Sequence, residues 1–422
     1  MHRVSILCFV ALLFVPKGAW TQGEPLGPEF RVNTYTTDLQ RSPAVASDSS
    51  GNFVVVWQSW TQDGSYDGVF GQRYASTGAP LGPEFRVNTY TTSSQSQPAV
   101  ASDSSGNFVV IWQSFFDQDG SGEGVFGQRY ASTGAPLGPE FRVNAYTTGP
   151  QWLPEVASDS SGNFVVVWHS RDQDGSGHGV FGQRYDSSGA PLGPEFRVNT
   201  YTTGRQIFPA VASDSSGNFV VVWESWPQDG SGYGVFGQVF ASSGAPLGPE
   251  FRVNTYTPYF QGWPAVASDA SGNFVVVWTS HFQDGSRYGV FGQRCCSSTG
   301  ALGPEFRVNT YTTNLQEIPA VASDSSGNFV VVWMSHTQDG WNYGVFGQRY
   351  ASTGAPLGPE FRVNTYTTDI QNAPAVASDA SGNFVVVWYS WHEGSGPGVF
   401  GQRYSAIAPG PSWREPTDPV EP

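Results

Sequence analysis

Ser47-Asp48-Ser49-Ser50-Gly51-Asn52-Phe53-Val54-Val55-Val56-Trp57 is the stretch from which the fold follows. Its first part is turn chemistry: short polar side chains that bond their own backbone, and a Gly and an Asn that tolerate positive φ. Its second part is a β-branched and aromatic run of strand length. The whole stretch then returns from Ser102, Ser158, Ser213, Ser268, Ser323 and Ser378, with Ala270 and Ala380 each replacing a Ser and Ile111 a Val.

The period, measured from Phe30, Phe85, Phe141, Phe196, Phe251, Phe306 and Phe361, is 55 or 56 residues. That exceeds the ~20–47 residues of leucine-rich and helical repeats. Each unit reads as four strands, exemplified by Pro43 to Ser47, Phe53 to Ser59, Gly68 to Tyr74 and Glu84 to Thr91. No helical periodicity appears in the repeats. Four strands per unit and seven units predict an all-β fold, a seven-bladed β-propeller with four antiparallel strands per blade. The repeats open with a fourth strand alone, Glu29 to Thr36, and close with a unit lacking one, Pro374 to Tyr404. The N-terminal strand is therefore expected to close the last blade, leaving no open edge.

The predicted domain spans residues 29–404. Residues 1–21 read as a signal peptide: basic Arg3, an apolar Val4 to Val15 too short to span a bilayer, then small residues. Residues 405–422 form a Pro-rich tail expected to be disordered. The expected location is secreted, extracellular or periplasmic, without a membrane-spanning segment.

The 422 residues carry a net charge of -15 and a single Lys, Lys17. An acidic surface repels phosphate, so nucleic acid is excluded as a partner. The missing Lys removes P-loop and Schiff-base chemistry from the repeats. G-x-G-x-x-G occurs from Gly122, Gly177, Gly232 and Gly396, but it runs into a strand instead of opening a helix, so it is no dinucleotide site. Cys295 and Cys296 are neighbours and imply no disulfide framework. The repeated Arg31 and Arg73 types, with Glu29 and Asp48, are expected to form structural charge pairs within each blade.

The unit D-S-S-G-N-F-V-V-V-W, then Q-D-G-S, then G-V-F-G-Q-R-Y, resembles repeats of uncharacterised bacterial secreted and surface proteins. Its P-A-V-A-S-D-S-S-G-N portion is similar to NHL-type propeller repeats. The first resemblance covers Glu29 to Tyr404, and neither implies a single activity.

Comparison of the copies locates the candidates. Loops after the first and third strands barely change. Those after the second and fourth change in nearly every copy, and in an up-and-down blade these two share one side of the disc. Drift alone would loosen both sides. The expected recognition residues are Trp60, Phe115, Trp152, Phe208, Trp226, Trp263, His281, His336, Trp341 and Trp391, since exposed rings suit sugar rings or a protein partner. The sequence thus points to a binding module for a glycan or a surface protein. The alternatives are a hydrolase or lyase at the channel mouth, and a structural or adhesive repeat protein.

No residue set names a reaction, and binding is favoured over catalysis. The weak catalytic candidate is Glu155, which replaces the Ala of P-A-V on the innermost strand; Glu224 and His169 occupy another asymmetric slot. Asp117 with Asp119, and Asp172 with Asp174, alternate like the start of a calcium loop, although the distal Glu is absent and Asp-Gly is an ordinary hairpin turn. No cofactor is expected beyond Ca²⁺ at those pairs.

Overall fold

The computed structural model describes residues 23–116, 118–296, 300–391 and 397–406. The signal segment, Asp117, His392 and nearly all of the tail lie outside them. Every described strand belongs to the repeats. The first unit runs Gln40–Ser47, Phe53–Trp60, Asp67–Tyr74 and Phe85–Arg86, hydrogen-bonded antiparallel in that order. The second strand is buried on both faces, which is why it reads as an unbroken apolar run.

Two boundaries differ from the sequence expectation. The innermost strand starts at Gln40, ahead of Pro43, and carries a bulge between Arg41 and Ala44. The outermost strand is two residues long because Asn88 ends it. Its Oδ1 accepts the Val69 N–H at 2.8 Å, the place of the next ladder carbonyl, and its Nδ2 donates to Tyr90 O and Gln95 Oε1. The invariant Gln95 thus ties the departing chain to the next unit.

Neighbouring units pack face to face. Val54, Val56 and Val69 of one meet Phe108, Val110 and Trp112 of the next. All seven repeated Trp residues are fully buried. Each innermost strand touches the one before and the one after, and the innermost strands of the first and last units touch as well. At the seam, Phe30–Arg31 pairs with Pro397–Tyr404, and Val399 donates its N–H to Asn33 Oδ1. Elsewhere Glu84 accepts from Thr34 N–H at 2.6 Å; the corresponding bond at the seam joins Glu29 to Thr365. Hydrogen bonding groups the strands into six sheets, one of them eight-stranded because a single parallel bridge, His178 to Arg205, links two units. A cavity of about 200 Å³ at the common axis is lined by Ser47, Asp48 and Ser49 and their counterparts from every unit.

The two loop classes occupy opposite ends. At one end Trp60 N–H donates to Leu39 O and Thr61 Oγ1 to Asp38 Oδ2, linking the two variable connections. At the other, Ser76 N–H donates to Asn52 Oδ1, linking the two constant ones. The constant loops have a packing reason for their uniformity. Arg73 donates to Ser132 O of the next unit and to Leu81 O of its own. A Cβ on Gly134 would fall 2.6 Å from Arg73 Nε, and one on Gly106 would fall 2.9 Å from Asp48 Oδ2. Arg73 and Glu84 therefore bond across units to backbone and hydroxyl groups, and Glu84 also accepts from Gln62 of its own unit. At Arg73, Gly134, Gly106 and Asp48 constancy follows from this interlock and carries no weight for recognition.

Candidate functional site

At the variable end, each innermost strand reaches its bulge through a residue in the left-handed region: Ser42, Gln97, Leu153, Phe208, Trp263, Ile318 and Ala373, all with φ between 48° and 52°. None is Gly, so the ring of bulges holds each backbone against its preference. The strain frees a backbone N–H that points at the preceding unit. Gln58 Oε1 accepts it from Gln97, Gln113 Oε1 from Leu153, Glu224 Oε2 from Trp263 and Thr279 Oγ1 from Ile318, at 3.1–3.2 Å.

These acceptors share one slot, directly after the repeated Trp. Across the units it holds Gln58, Gln113, His169, Glu224, Thr279, Met334 and Tyr389. Six of the seven are buried, and their neighbours, the Trp before and the Ser after, never change. Drift accumulates where nothing packs. Variation at a buried position between two invariant buried residues is not of that kind.

The variable residues also touch each other. Trp152 lies 5.5 Å from His169 and is stacked at 5.5 Å on His178; His169 lies 6.3 Å from Phe208 of the next unit. Farther round, a run of rings passes from Trp226 to Tyr233, Phe260, Trp263, Tyr288, His281 and Phe282, each within 6.4 Å of the one before. His336 meets Tyr343 at 4.9 Å. The structure thus joins Trp152 with Phe208, and Trp226 with Trp263 and His281. Among the described residues, Trp60 pairs only locally with Tyr66, and Phe115 with Phe116. Trp341 and Trp391 stand exposed at the rim.

Sequence reasoning missed Tyr233, Tyr288 and Tyr343, the links between these clusters. They precede the invariant G-V-F-G, a place that elsewhere holds Asp67, Glu123, His178 and Pro397. That variability was the available signal.

Acidic groups punctuate the arc. Glu224 is 2 % exposed, and burial pushes its carboxyl up to about 7, against the pull of the Trp263 N–H. Burial also raises Glu317, opposed by the Tyr343 hydroxyl, which donates to Glu317 Oε1 at 3.2 Å. Glu155 sits on an innermost strand, three residues before Ser158 of the axial cavity, and is exposed. Its accessible area and its enclosure pull in opposite directions. Enclosure is the better guide, because a narrow bore solvates a carboxylate less well than bulk water; it pushes Glu155 up to about 7. His169 is pushed down to about 3, first by burial and then by His178, so it is neutral here.

The acidic pairs take separate roles. Asp119 accepts from Ser121 N–H and from Asn144 Nδ2, closing its own loop. Asp174 accepts from Ser176 N–H, while Asp172 forms an exposed ion pair with Arg171 at 3.4 Å. Asp117 lies outside the described residues. Among the described residues, no three His, Cys, Asp or Glu side chains are grouped to hold a metal.

No protein-family model and no curated protein matches the chain; the NHL resemblance therefore gains no support. Solved structures do resemble it. A polysaccharide lyase, Uly1, superposes with a TM-score of 0.53 at 8% identity, over 92% of this chain and 95% of that one. An uncharacterised protein of Dyadobacter fermentans gives 0.51 at 10% identity, over 89% and 97%. An α-L-arabinanase of Penicillium chrysogenum, complexed with arabinobiose, gives 0.51 at 15% identity, over 73% and 94%. At such identities the likeness is one of fold: an all-β propeller of repeated four-stranded antiparallel sheets. Among the described residues, no helix is long and apolar enough to cross a membrane.

Proposed function

We propose that the chain is a closed seven-bladed propeller, exported by its N-terminal segment, that binds a glycan on the variable face of blades three to six. The observation that carries this is the unbroken run of rings from Trp226 to Phe282 beside buried Glu224. Flat apolar area flanked by a few polar groups suits a sugar, which offers C–H faces and hydroxyls. The fold-level likeness to an arabinanase and a polysaccharide lyase supports a carbohydrate over a surface protein. Titration calorimetry against a panel of soluble polysaccharides, arabinan included, with and without EDTA, tests the reading. Binding to none of them would overturn it. The EDTA arm addresses calcium at Asp172 and Asp174.

A second reading is favoured by one observation. Glu224 and Glu155 are unique among the copies, and burial pushes each carboxyl up to about 7, which suits either one to exchange a proton near neutral pH. On this reading the bound glycan is cut at the channel mouth. New reducing ends, or unsaturated ends absorbing in the ultraviolet, distinguish hydrolysis and elimination from binding alone. Unchanged turnover in Glu155→Gln would remove Glu155 from the mechanism.

A further inference from the structure

The constant end has its own cavities, one at each of four seams between units. That between the last and first units measures about 260 Å³ and is lined by Leu26, Ser50, Phe53, Ser76, Arg403 and Tyr404 among others. Its counterparts measure about 240, 260 and 300 Å³ and present the same residue types, with Cys295 once in place of the Tyr.

Part of this lining belongs to the architecture. Asp379 is saturated by Ser381 N–H, Asn383 N–H and Asn383 Nδ2. Arg403 donates to Ser76 O and Leu26 O. The charged groups are therefore engaged and the clefts are effectively neutral.

The rest has no such role. Leu26, Leu81, Leu137, Leu192 and Leu247 are 37–44% exposed, yet every unit keeps Leu here, including Leu302 and Leu357. Among the described residues, the hydroxyls of Ser50 and Ser76 make no hydrogen bond, although their N–H groups do. Ser49 offers the contrast. Its hydroxyl bonds Ser104 O of the next unit, yet its position becomes Ala270 and Ala380. Ser50, whose hydroxyl bonds nothing, is Ser in every copy. The variable face shows that the copies have had time to diverge. Structure alone would retain the bonded Ser before the unbonded one.

We propose that these seams are equivalent sites, each for a single neutral sugar ring, so that the constant face reads a repeating glycan many times over. The volumes lie at the lower edge of small-molecule sites, ~300 Å³, which fits one ring and not a chain. Free hydroxyls meet the sugar's own, Leu and the Phe edge meet its C–H face, and no unpaired charge selects an ion. Each site is weak, with a dissociation constant of about 1 mM or above. Several on one disc raise the apparent affinity for a polymer about 100-fold.

Two experiments on the full chain test this. Crystals are soaked separately in D-glucose, D-galactose, D-mannose, L-arabinose and N-acetyl-D-glucosamine. Sugar should occupy at least the four open seams; water alone in every seam with all five would overturn the proposal. In solution, the sugar seen is titrated into wild type and into a gene with Ser→Ala at all seven Ser50-type positions. Wild type should bind several equivalents per chain and the variant at least tenfold more weakly, with unchanged thermal unfolding. One equivalent, or equal binding by both, would contradict the proposal. Stoichiometry also separates this from the variable-face reading, which predicts a single equivalent and can fail independently.

Discussion

The carboxyl of Glu224 fills the space that a side chain at position 262 would need. A Cβ on Gly262 would collide with Glu224 Oε2 and with the Phe260 ring. The two residues lie on neighbouring units, and each is unique among the copies: the only acid in its slot and the only Gly in the other. Trp263 N–H, one residue on, donates to the same carboxyl.

Gly262→Ala should therefore destabilise the protein by about 1–3 kcal/mol, the usual cost of overpacking. Gly262 lies outside the positive-φ region, so the cost is steric. In a Glu224→Ala background it should fall by about half or more, with the Phe260 contact remaining. Urea unfolding of the four proteins measures the coupling; equal costs in both backgrounds would show that the two residues do not share the space.

Glu224→Gln should stabilise the protein, and increasingly so as pH rises. The folded pKa, about 7, lies above the ordinary carboxyl value, so wild type is favoured at low pH. Its stability declines from about pH 4.5 and levels off above about pH 7. The variant lacks that slope and should exceed wild type by roughly 3 kcal/mol at about pH 8. Parallel unfolding curves from about pH 5 to 8 would contradict this.

His169 should act with the opposite sign. Its folded pKa, about 3, lies below the ordinary imidazole value of 6.5, so its neutral form is fully accommodated above that value. Stability falls as pH drops from there toward about 3, by about 2 kcal/mol at pH ~5. His169→Gln should remove this acid loss, and unfolding at about pH 5 and 7.5 reads it.

Phe30→Ala tests ring closure. Phe30 packs 5.5 Å from Tyr74, as Phe85 does from Tyr130 inside the chain. If the first strand is docked, both substitutions should cost about 3 kcal/mol. A neutral Phe30→Ala beside a costly Phe85→Ala would mean an open chain.

The repeat, its strand order and the separation of loops into two ends were legible because they rest on local signals: Val-Val-Val-Trp for a strand, Asp-Ser-Ser-Gly-Asn for a turn, and period. The short outermost strand was not, because Asn88 ends it by replacing a backbone acceptor, and no propensity encodes that. The site was legible only in pieces. Trp226 and Trp263 stand out in sequence, but Tyr233 and Tyr288 join them through contacts between units. The meaning of Glu224 depends on Gly262 across a seam, a relation invisible until the units are side by side. Uniformity of the constant loops looked like a counterweight to drift; at Arg73 and Gly134 contacts between units show it to be packing.

The most direct test of recognition by the arc compares two rings on one face. Wild type, Trp263→Ala and Phe116→Ala are titrated with whichever polysaccharide the panel identifies. Phe116 is 68% exposed and lies outside the arc. Trp263→Ala should weaken binding about tenfold or more, with Phe116→Ala matching wild type. Equal affinities for all three proteins, or the larger loss in Phe116→Ala, would contradict the account.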